Sequence, residues 1–210
     1  MARISKEDQE IIKKKIIEVS REMFNDVGFD KTSTKMIAKA TGIAEGTIFN
    51  YFGTKDEIFF EVFYKDYIND INKGISKTDN SENVYDDITE NIYKMLSKML
   101  RLPKRALLEM GVVTIKIAKK KPEFFRKMAS IDFKYMEEIA CYLDQLKIEN
   151  VFEYFDSKKM SEIIFGSVLY ELSMYLYEKD KTKSDFKEGL KEKLEILLKG
   201  YIKGGIWYVN

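Results

Sequence analysis

Helix-breaking residues are almost absent from this sequence. It contains 2 Pro and 11 Gly among 210 residues, and apolar residues recur through nearly every segment with the 3.6-residue period of an α-helix. No segment sustains the strict alternation of apolar and polar residues that a half-buried β-strand needs. The sequence therefore predicts an all-α fold of about nine helices.

The residue types exclude several classes of chemistry. The chain has no His and a single Cys, Cys141, so it lacks an imidazole base, the usual zinc ligands and an internal disulfide. We therefore expect no cofactor, no metal site and no catalytic residue. No apolar stretch reaches the roughly 18 residues of a membrane span, and the first residues lack the apolar segment of a signal peptide. The sequence predicts a cytoplasmic protein without a membrane partner.

Two short predicted helices, about 34–41 and 45–51, are joined by a turn at Gly42. Ala38 is small enough to lie where two steeply crossing helices touch, and Gly42 tolerates the positive φ that such a turn needs. Four apolar residues are spaced to pin both helices onto the first predicted helix: Ile37, Ile43, Ile48 and Phe52. This pattern predicts a helix-turn-helix whose second helix enters the major groove of DNA.

The segment around this motif carries a dense set of specific residues. They are Phe24, Gly28-Phe29, Thr32-Ser33-Thr34, Ile37-Ala38, Gly42, Gly46-Thr47-Ile48-Phe49, Tyr51-Phe52 and Lys55-Asp56. Together they resemble the DNA-binding domain of the TetR family of transcriptional repressors. The resemblance implies a three-helix DNA-binding domain over 1–52. It also implies a larger helical domain for ligand binding and dimerisation over 53–210, with the helix from about residue 55 connecting the two.

The resemblance and the chemistry of the side chains together suggest roles on DNA. Thr34 is expected to cap its helix and to offer its hydroxyl and backbone N–H to a phosphate. Tyr51 and Lys55 resemble the family's phosphate-binding residues. Asn50 has the amide that makes a bidentate contact to adenine, and Thr47 is expected to touch a phosphate or a base edge.

Ala44, Glu45 and Gly46 lie at the start of the second helix of this motif. Gly46 lets the helix approach the DNA backbone closely. Ala44 stands where many members of the family have a capping Ser or Thr, a loss of about 1 kcal/mol. Glu45 suits the helix dipole but brings a negative charge to DNA, where it could accept a bond from a cytosine amino group. An alternative is that this helix-turn-helix serves only in packing.

The helices of the larger domain are rich in Met and aromatic residues, which can line an adaptable apolar pocket. The candidate lining residues are Tyr93, Met110, Thr114, Met128, Asp132, Tyr135 and Met136. Thr114 and Asp132 are polar residues within apolar stripes, so either is a candidate to orient a small-molecule effector. The alternative for most of these side chains is an ordinary core position.

A strongly basic stretch covers residues 98–127. Its ten basic side chains stand against only two acids, Glu109 and Glu123. Three interpretations stay open: a rim that accepts an anionic effector, long-range attraction toward DNA, and a solvated surface. By contrast, residues 1–55 hold ten basic against eight acidic side chains, which is a weak charge for a DNA-binding segment.

The last two predicted helices are amphipathic and invite pairing with their symmetry mates as a four-helix bundle. The candidate interface residues are Ile164, Val168, Leu172, Leu190, Leu194 and Leu197. The alternative is that these residues pack against the protein's own body.

The sequence thus predicts a homodimeric regulator of transcription, a repressor that binds a palindromic double-stranded operator and is released by a small molecule. One rival is a helical small-molecule sensor or carrier whose head does not bind DNA. The other is an enzyme using Asp132 or Tyr135 as an acid or base, which no convergent group of titratable residues supports.

Overall fold

The computed structural model describes residues 5–71, 75 and 83–203, with the side chains of 66–70 outside the description. The α-helices are α1 (Lys6–Asp26), α2 (Thr34–Thr41), α3 (Glu45–Phe52), α4 (Lys55–Ile71), α5 (Val84–Leu96), α6 (Lys104–Lys120), α7 (Pro122–Ile148), α8 (Ser157–Tyr177) and α9 (Lys183–Leu198). The all-α prediction is confirmed. The polar loop predicted over 76–83 and the apolar tail predicted over 206–209 lie outside the described residues, Asn83 excepted.

A short polar residue caps the start of α1, and a glycine follows its end. The Ser5 hydroxyl accepts from the Asp8 backbone N–H at 3.0 Å, and Gly28 follows α1 with φ of +86°. The sequence pattern predicts helices over 84–100 and 184–203. The α-helices α5 and α9 end earlier, and 3₁₀ turns follow them at Met99–Arg101 and Lys199–Tyr201. The residue before a proline favours extended backbone, and Leu102 before Pro103 adopts it with ψ of 147°.

The described residues form two compact units. The first contains the described residues through Asp66 together with Arg105–Lys127, and the second contains Tyr67–Lys104 with the described residues from Met128 onward. The unit boundaries fall within α4 and α7 and at the start of α6. This grouping reflects packing, and the assignment of DNA binding to 1–52 stays a prediction.

Each unit has its own apolar core. In the first, Ile16 of α1, Ile37 of α2 and Ile48 of α3 are fully buried beside Ile58 of α4. In the second, α9 packs against α5 and α8 and buries a stripe with four-residue spacing. That stripe consists of Phe186, Leu190, Leu194 and Leu198. Within the described residues, no helix is long and apolar enough to cross a membrane.

Candidate nucleic-acid interface

The turn between α2 and α3 has the geometry that its residues require. Gly42 ends α2 in the left-handed conformation with φ of +69°, where a Cβ would be strained. The buried Thr41 hydroxyl donates to the Ile37 carbonyl at 2.8 Å and accepts from the Ile43 backbone N–H at 3.3 Å. These two bonds fix the direction in which α3 leaves the turn.

One face of α3 is anchored in the core of the first unit. Ile48 and Phe52 are buried, with 0% and 3% of their surface exposed. The opposite face is left to solvent: Gly46 and Asn50 are exposed, and Thr47 is partly exposed. Since four residues make roughly one helical turn, Gly46 and Asn50 lie one above the other at the centre of this open face.

The start of α2 differs from the prediction in one detail. Ser33, not Thr34, caps the helix, since the Ser33 hydroxyl accepts from the Met36 backbone N–H at 3.2 Å. Thr34 is the first helical residue, and its hydroxyl donates to Glu45 Oε1 at 2.6 Å. Thr34 and Glu45 are therefore brought together across the two helices. Because the Thr34 hydroxyl already donates its proton to Glu45, the backbone N–H of Thr34 is the group that can donate to a bound anion.

Ala44 precedes α3 without a side-chain cap. The first turn instead depends on backbone bonds from the N–H groups of Thr47 and Ile48 to the Ala44 carbonyl, at 2.9 and 3.2 Å. The Glu45 carboxylate lies near the N-terminus of α3, where its negative charge interacts favourably with the positive end of the helix dipole. The bond from Thr34 thus holds that carboxylate in place at the edge of the open face of α3.

Lys55 lies at the first position of α4, two residues after Gly53 closes α3. Its Nζ donates to the carbonyls of Phe29 and Thr32 at 2.8 and 2.9 Å and lies 4.0 Å from the centre of the Phe29 ring. The ammonium therefore links the segment before α2 to the start of α4, a positioning role that the sequence did not reveal. Its contact with a phosphate stays a prediction.

Phe49 is a surface residue of α3 that the sequence reasoning left out of the candidate site. Its side chain is 43% exposed on the flank of the open face, and a Phe ring suits apolar contact with a thymine methyl group. The helical period places Phe49 away from the core face that Ile48 and Phe52 define. This spacing could have predicted that Phe49 is a surface residue. Tyr51 lies on the other flank, partly exposed.

The predicted pocket residues fall into both compact units. Met110 and Thr114 belong to the first, and the other five belong to the second. The Thr114 hydroxyl donates to the Met110 carbonyl of its own helix at 2.8 Å, so its polarity is satisfied locally. Tyr135 is 1% exposed and donates its hydroxyl to the Ile92 carbonyl at 3.3 Å. Tyr93, Met128, Asp132 and Met136 are half-buried.

Burial raises the pKa of Asp132 on α7 to about 6. The unfolded value lies near 3.9, so the folded protein holds this proton more tightly than the unfolded chain. The stabilising effect of that proton is full below pH about 4 and is lost as pH rises through about 6. Asp132→Asn should therefore raise the free energy of unfolding by about 1–2 kcal/mol at pH about 7.5, a value discounted for partial exposure.

Urea unfolding at several pH values measures this effect. The gain from Asp132→Asn should shrink toward zero as the pH approaches about 4. Asp180→Asn, at an exposed position, provides the control and should change little. A gain from Asp132→Asn that does not vary with pH would contradict the assignment of a destabilising buried charge.

The predicted dimer contacts need correction. Four of the six residues lie in the protomer's own core, because Ile164, Val168, Leu190 and Leu194 are at most 2% exposed. A side chain already enclosed by its own protomer is not available to a partner, so these four are core residues. Leu172 and Leu197 are half-buried.

The solvent face of α8 carries the apolar residues that the sequence reasoning missed. Ile163, Leu169, Tyr170 and Tyr177 are 51%, 47%, 54% and 84% exposed. Gly166 lies among them, and no heavy atom comes within 4 Å of where its Cβ would be. We call these five residues the outer face of α8.

A segment of the first unit matches a known family of domains. Residues 16–62 match the model of the bacterial regulatory proteins of the tetR family. The regulator YhgD of Bacillus subtilis is 35% identical over 51 residues, and the repressor Rv1474c of Mycobacterium tuberculosis is 29% identical over 66 residues. These alignments cover 24% and 31% of this chain, and 27% and 35% of the two relatives.

Solved structures match over nearly the whole chain. A TetR-family regulator from Pectobacterium atrosepticum aligns over 95% of this chain and 98% of its own, with a TM-score of 0.69 and 16% identity. GusR of Salmonella enterica aligns over 94% of this chain and 100% of its own, with a TM-score of 0.60 and 16% identity. At 16% sequence identity, these similarities show that the chains share a fold and nothing more.

The open face of α3, supported by α2 and the Gly42 turn, defines a helix-turn-helix protein. Residues 16–62 resemble the tetR-family DNA-binding domain, and the rest of the chain shares the fold of TetR-family regulators. The sequence-based resemblance to this family is confirmed over residues 16–62.

Proposed function

We propose that this protein is a homodimeric repressor of transcription that binds a palindromic operator through α3 and is released by a small molecule. The observation that carries the proposal is the solvent face of α3, where Gly46 and Asn50 are exposed while Ile48 and Phe52 anchor the helix. A short helix held in this way fits the major groove of B-DNA. The name of the Mycobacterium tuberculosis relative as a repressor supports the direction of regulation.

The side chains of the open face divide into two tasks. Asn50, at its centre, is assigned to the adenine edge, and Thr47 beside it to a base edge or a phosphate. Tyr51 and the backbone N–H of Thr34 are assigned to phosphates, which set the register of the helix on the duplex. Glu45, held by Thr34, is positioned to accept from a cytosine amino group at the edge of the site.

The dimer is proposed to form through the outer face of α8. Exposed Ile163, Leu169 and Tyr170 supply apolar area, and Gly166 allows a second helix to approach closely. Ile196 of α9 is also apolar and 80% exposed, so it is a second candidate for the interface. A two-fold axis would present two copies of α3 to half-sites one helical turn apart, about 34–36 Å.

A charged substitution on the outer face of α8 tests the dimer. Leu169→Arg should convert the dimer to a monomer and weaken operator binding, because two guanidinium groups would be buried opposite each other. Ile148→Arg, at an 81% exposed position at the end of α7, is the matched control and should remain dimeric. Sedimentation or mass measurement distinguishes the states, and a dimeric Leu169→Arg protein would contradict this interface.

The effector is proposed to bind in the helical body and to favour a conformation whose two recognition helices no longer match the half-sites. The free energy by which the effector shifts this conformational equilibrium equals the difference between its binding free energies for the two conformations. Asp132, half-buried and with a pKa of about 6, is the candidate polar group on α7. The position of the operator in the source genome names the neighbouring genes, and the functions of those genes indicate the chemical class of the effector.

A sensor or carrier without DNA binding is the second candidate, favoured by the uncapped Ala44 and by Glu45 at the DNA-facing end of α3. Binding of the purified protein to duplex DNA over a range of salt concentrations separates the two. A regulator loses affinity steeply as salt rises, because bound cations are released from the phosphates. The absence of salt-dependent binding would favour the sensor.

A further inference from the structure

Four cations of the basic stretch are paired with acids that lie between α1 and α2 or on α4. Lys116 Nζ lies 2.6 Å from Asp56 Oδ2, and Lys121 Nζ lies 2.5 Å from Glu57 Oε2. Arg105 pairs with Asp30 at 2.6 Å, and Lys127 pairs with Glu61. All of these residues belong to the first compact unit. Four of the ten basic side chains are thus paired with acids of the first unit, which reduces the long-range field of the stretch.

Two of these pairs hold the C-terminal end of α6 against the first turn of α4. Glu57 is only 8% exposed, whereas the Lys121 side chain is 40% exposed, so this pair is partly buried and less screened than a fully exposed pair. Phe60 of α4 packs edge-on against Phe124 at the start of α7, with ring centres 4.9 Å apart. Charge and apolar contact together fix the α6–α7 turn beside α4.

Lys119 and Lys120 occupy the last turn of α6, between the two anchored lysines. Both side chains are exposed, and neither makes an ion pair or hydrogen bond with any residue in the described ranges. The turn that carries them is fastened to Asp56 and Glu57, which directly follow Lys55 in the first turn of α4. That turn starts with Lys55, three residues after α3 ends, so the two free cations lie on a segment fastened to the turn that carries a proposed phosphate-binding residue.

We propose that Lys119 and Lys120 contact DNA phosphates that flank the half-site, which extends the interface beyond the helix-turn-helix. This inference rests on the proposed operator binding. It explains how a head with ten basic against eight acidic residues over 1–55 gains affinity for a polyanion. The acids Asp56 and Glu57 then serve to position α6, and the two lysines left unpaired supply the charge toward the phosphates.

The test is the salt dependence of operator binding by the double variant Lys119→Gln/Lys120→Gln. Each lost phosphate contact lowers the slope of log K against log salt by about 0.9. The double variant removes two contacts per protomer, so it lowers the slope of the dimer by about 3.6 and weakens binding about 1000-fold near 0.15 M salt. Sequence preference should be unchanged, because phosphate contacts carry no sequence information.

The matched control is Lys158→Gln/Lys199→Gln, which removes the same charge from exposed positions in the second unit. It should leave the slope within error of wild type. A second readout is operator length: trimming the flanking base pairs should weaken wild type and leave the Lys119→Gln/Lys120→Gln protein unaffected. Equal slopes for the two double variants would overturn this inference alone, whereas wild-type protein that fails to bind DNA would overturn operator binding and this inference with it.

Discussion

Tyr51→Ala should weaken binding to the operator by at least about 100-fold. A hydrogen bond to a charged group contributes about 1.5–3 kcal/mol, and a dimer loses one such contact in each half-site. Since 1.4 kcal/mol corresponds to about tenfold in affinity, two lost contacts account for this change. The Tyr51 ring also lies 6.5 Å from the Phe52 ring, so its loss loosens the end of α3 as well.

The controls for Tyr51 separate the phosphate contact from the packing of the ring. Tyr51→Phe removes only the hydroxyl and should account for most of the lost affinity. Tyr154→Ala removes a tyrosine that is 89% exposed in the second unit and should bind the operator as wild type does. The dimer should persist in all three variants, and full operator affinity in Tyr51→Ala would contradict the placement of α3.

Gly189→Ala should lower the free energy of unfolding, although Ala for Gly inside a helix is ordinarily favourable by about 1 kcal/mol. A Cβ on Gly189 of α9 would lie 2.6 Å from Glu171 Oε2. Glu171 is 1% exposed on α8 and accepts from Lys193 and, at 2.9 Å, from Lys181. Withdrawing this carboxylate from its lysines costs about 2–4 kcal/mol, which leaves a net loss of about 1–3 kcal/mol.

The charge state of Glu171 reinforces this expectation. Burial opposes its ionisation, but hydrogen bonds from Lys181 and Lys193 outweigh burial and lower the pKa of the carboxyl group. The carboxylate is therefore charged at neutral pH and depends on both lysines for its stability. If Glu171 were displaced, its carboxylate would have to become exposed to water or remain buried without its two lysine partners.

Gly111→Ala on α6 is the matched control for Gly189→Ala, because no heavy atom lies within 4 Å of its Cβ position. It should stabilise the protein by up to about 1 kcal/mol. In a Glu171→Ala background, Gly189→Ala should likewise become neutral or stabilising, a reversal that a double-mutant cycle detects. A stabilising effect of Gly189→Ala in the wild-type protein would contradict the close packing described above.

Much of the helix-turn-helix could be predicted from the sequence because its determinants are local. Gly42 at the turn and the apolar spacing of Ile37, Ile48 and Phe52 depend on residues a few positions apart. The cap of α2 was wrongly placed by one residue, since Ser33 and Thr34 are equally able to accept the capping bond. The roles of Lys55 and Glu171 were missed because their partners are distant in the sequence.

The face of α8 that is buried could not be predicted from periodicity alone. Helix α8 has apolar residues on two sides, with Ile164 and Val168 on one and Ile163 and Tyr170 on the other. Both sides fit a helical period, and the choice between them depends on which side α9 covers. The pairing of the basic stretch with Asp56 and Glu57 was hidden for the same reason, since it joins segments about 60 residues apart.

The central claim is that α3 reads a palindromic DNA site as part of a dimer. Selection of bound fragments from random duplex DNA by the purified full-length protein, followed by sequencing, tests it most directly. Our account predicts enrichment of an inverted repeat whose half-site centres are about 10 base pairs apart. Asn50→Ala should then lose the preference at one symmetric pair of positions, an adenine in each half-site. Recovery of no enriched sequence would contradict the claim.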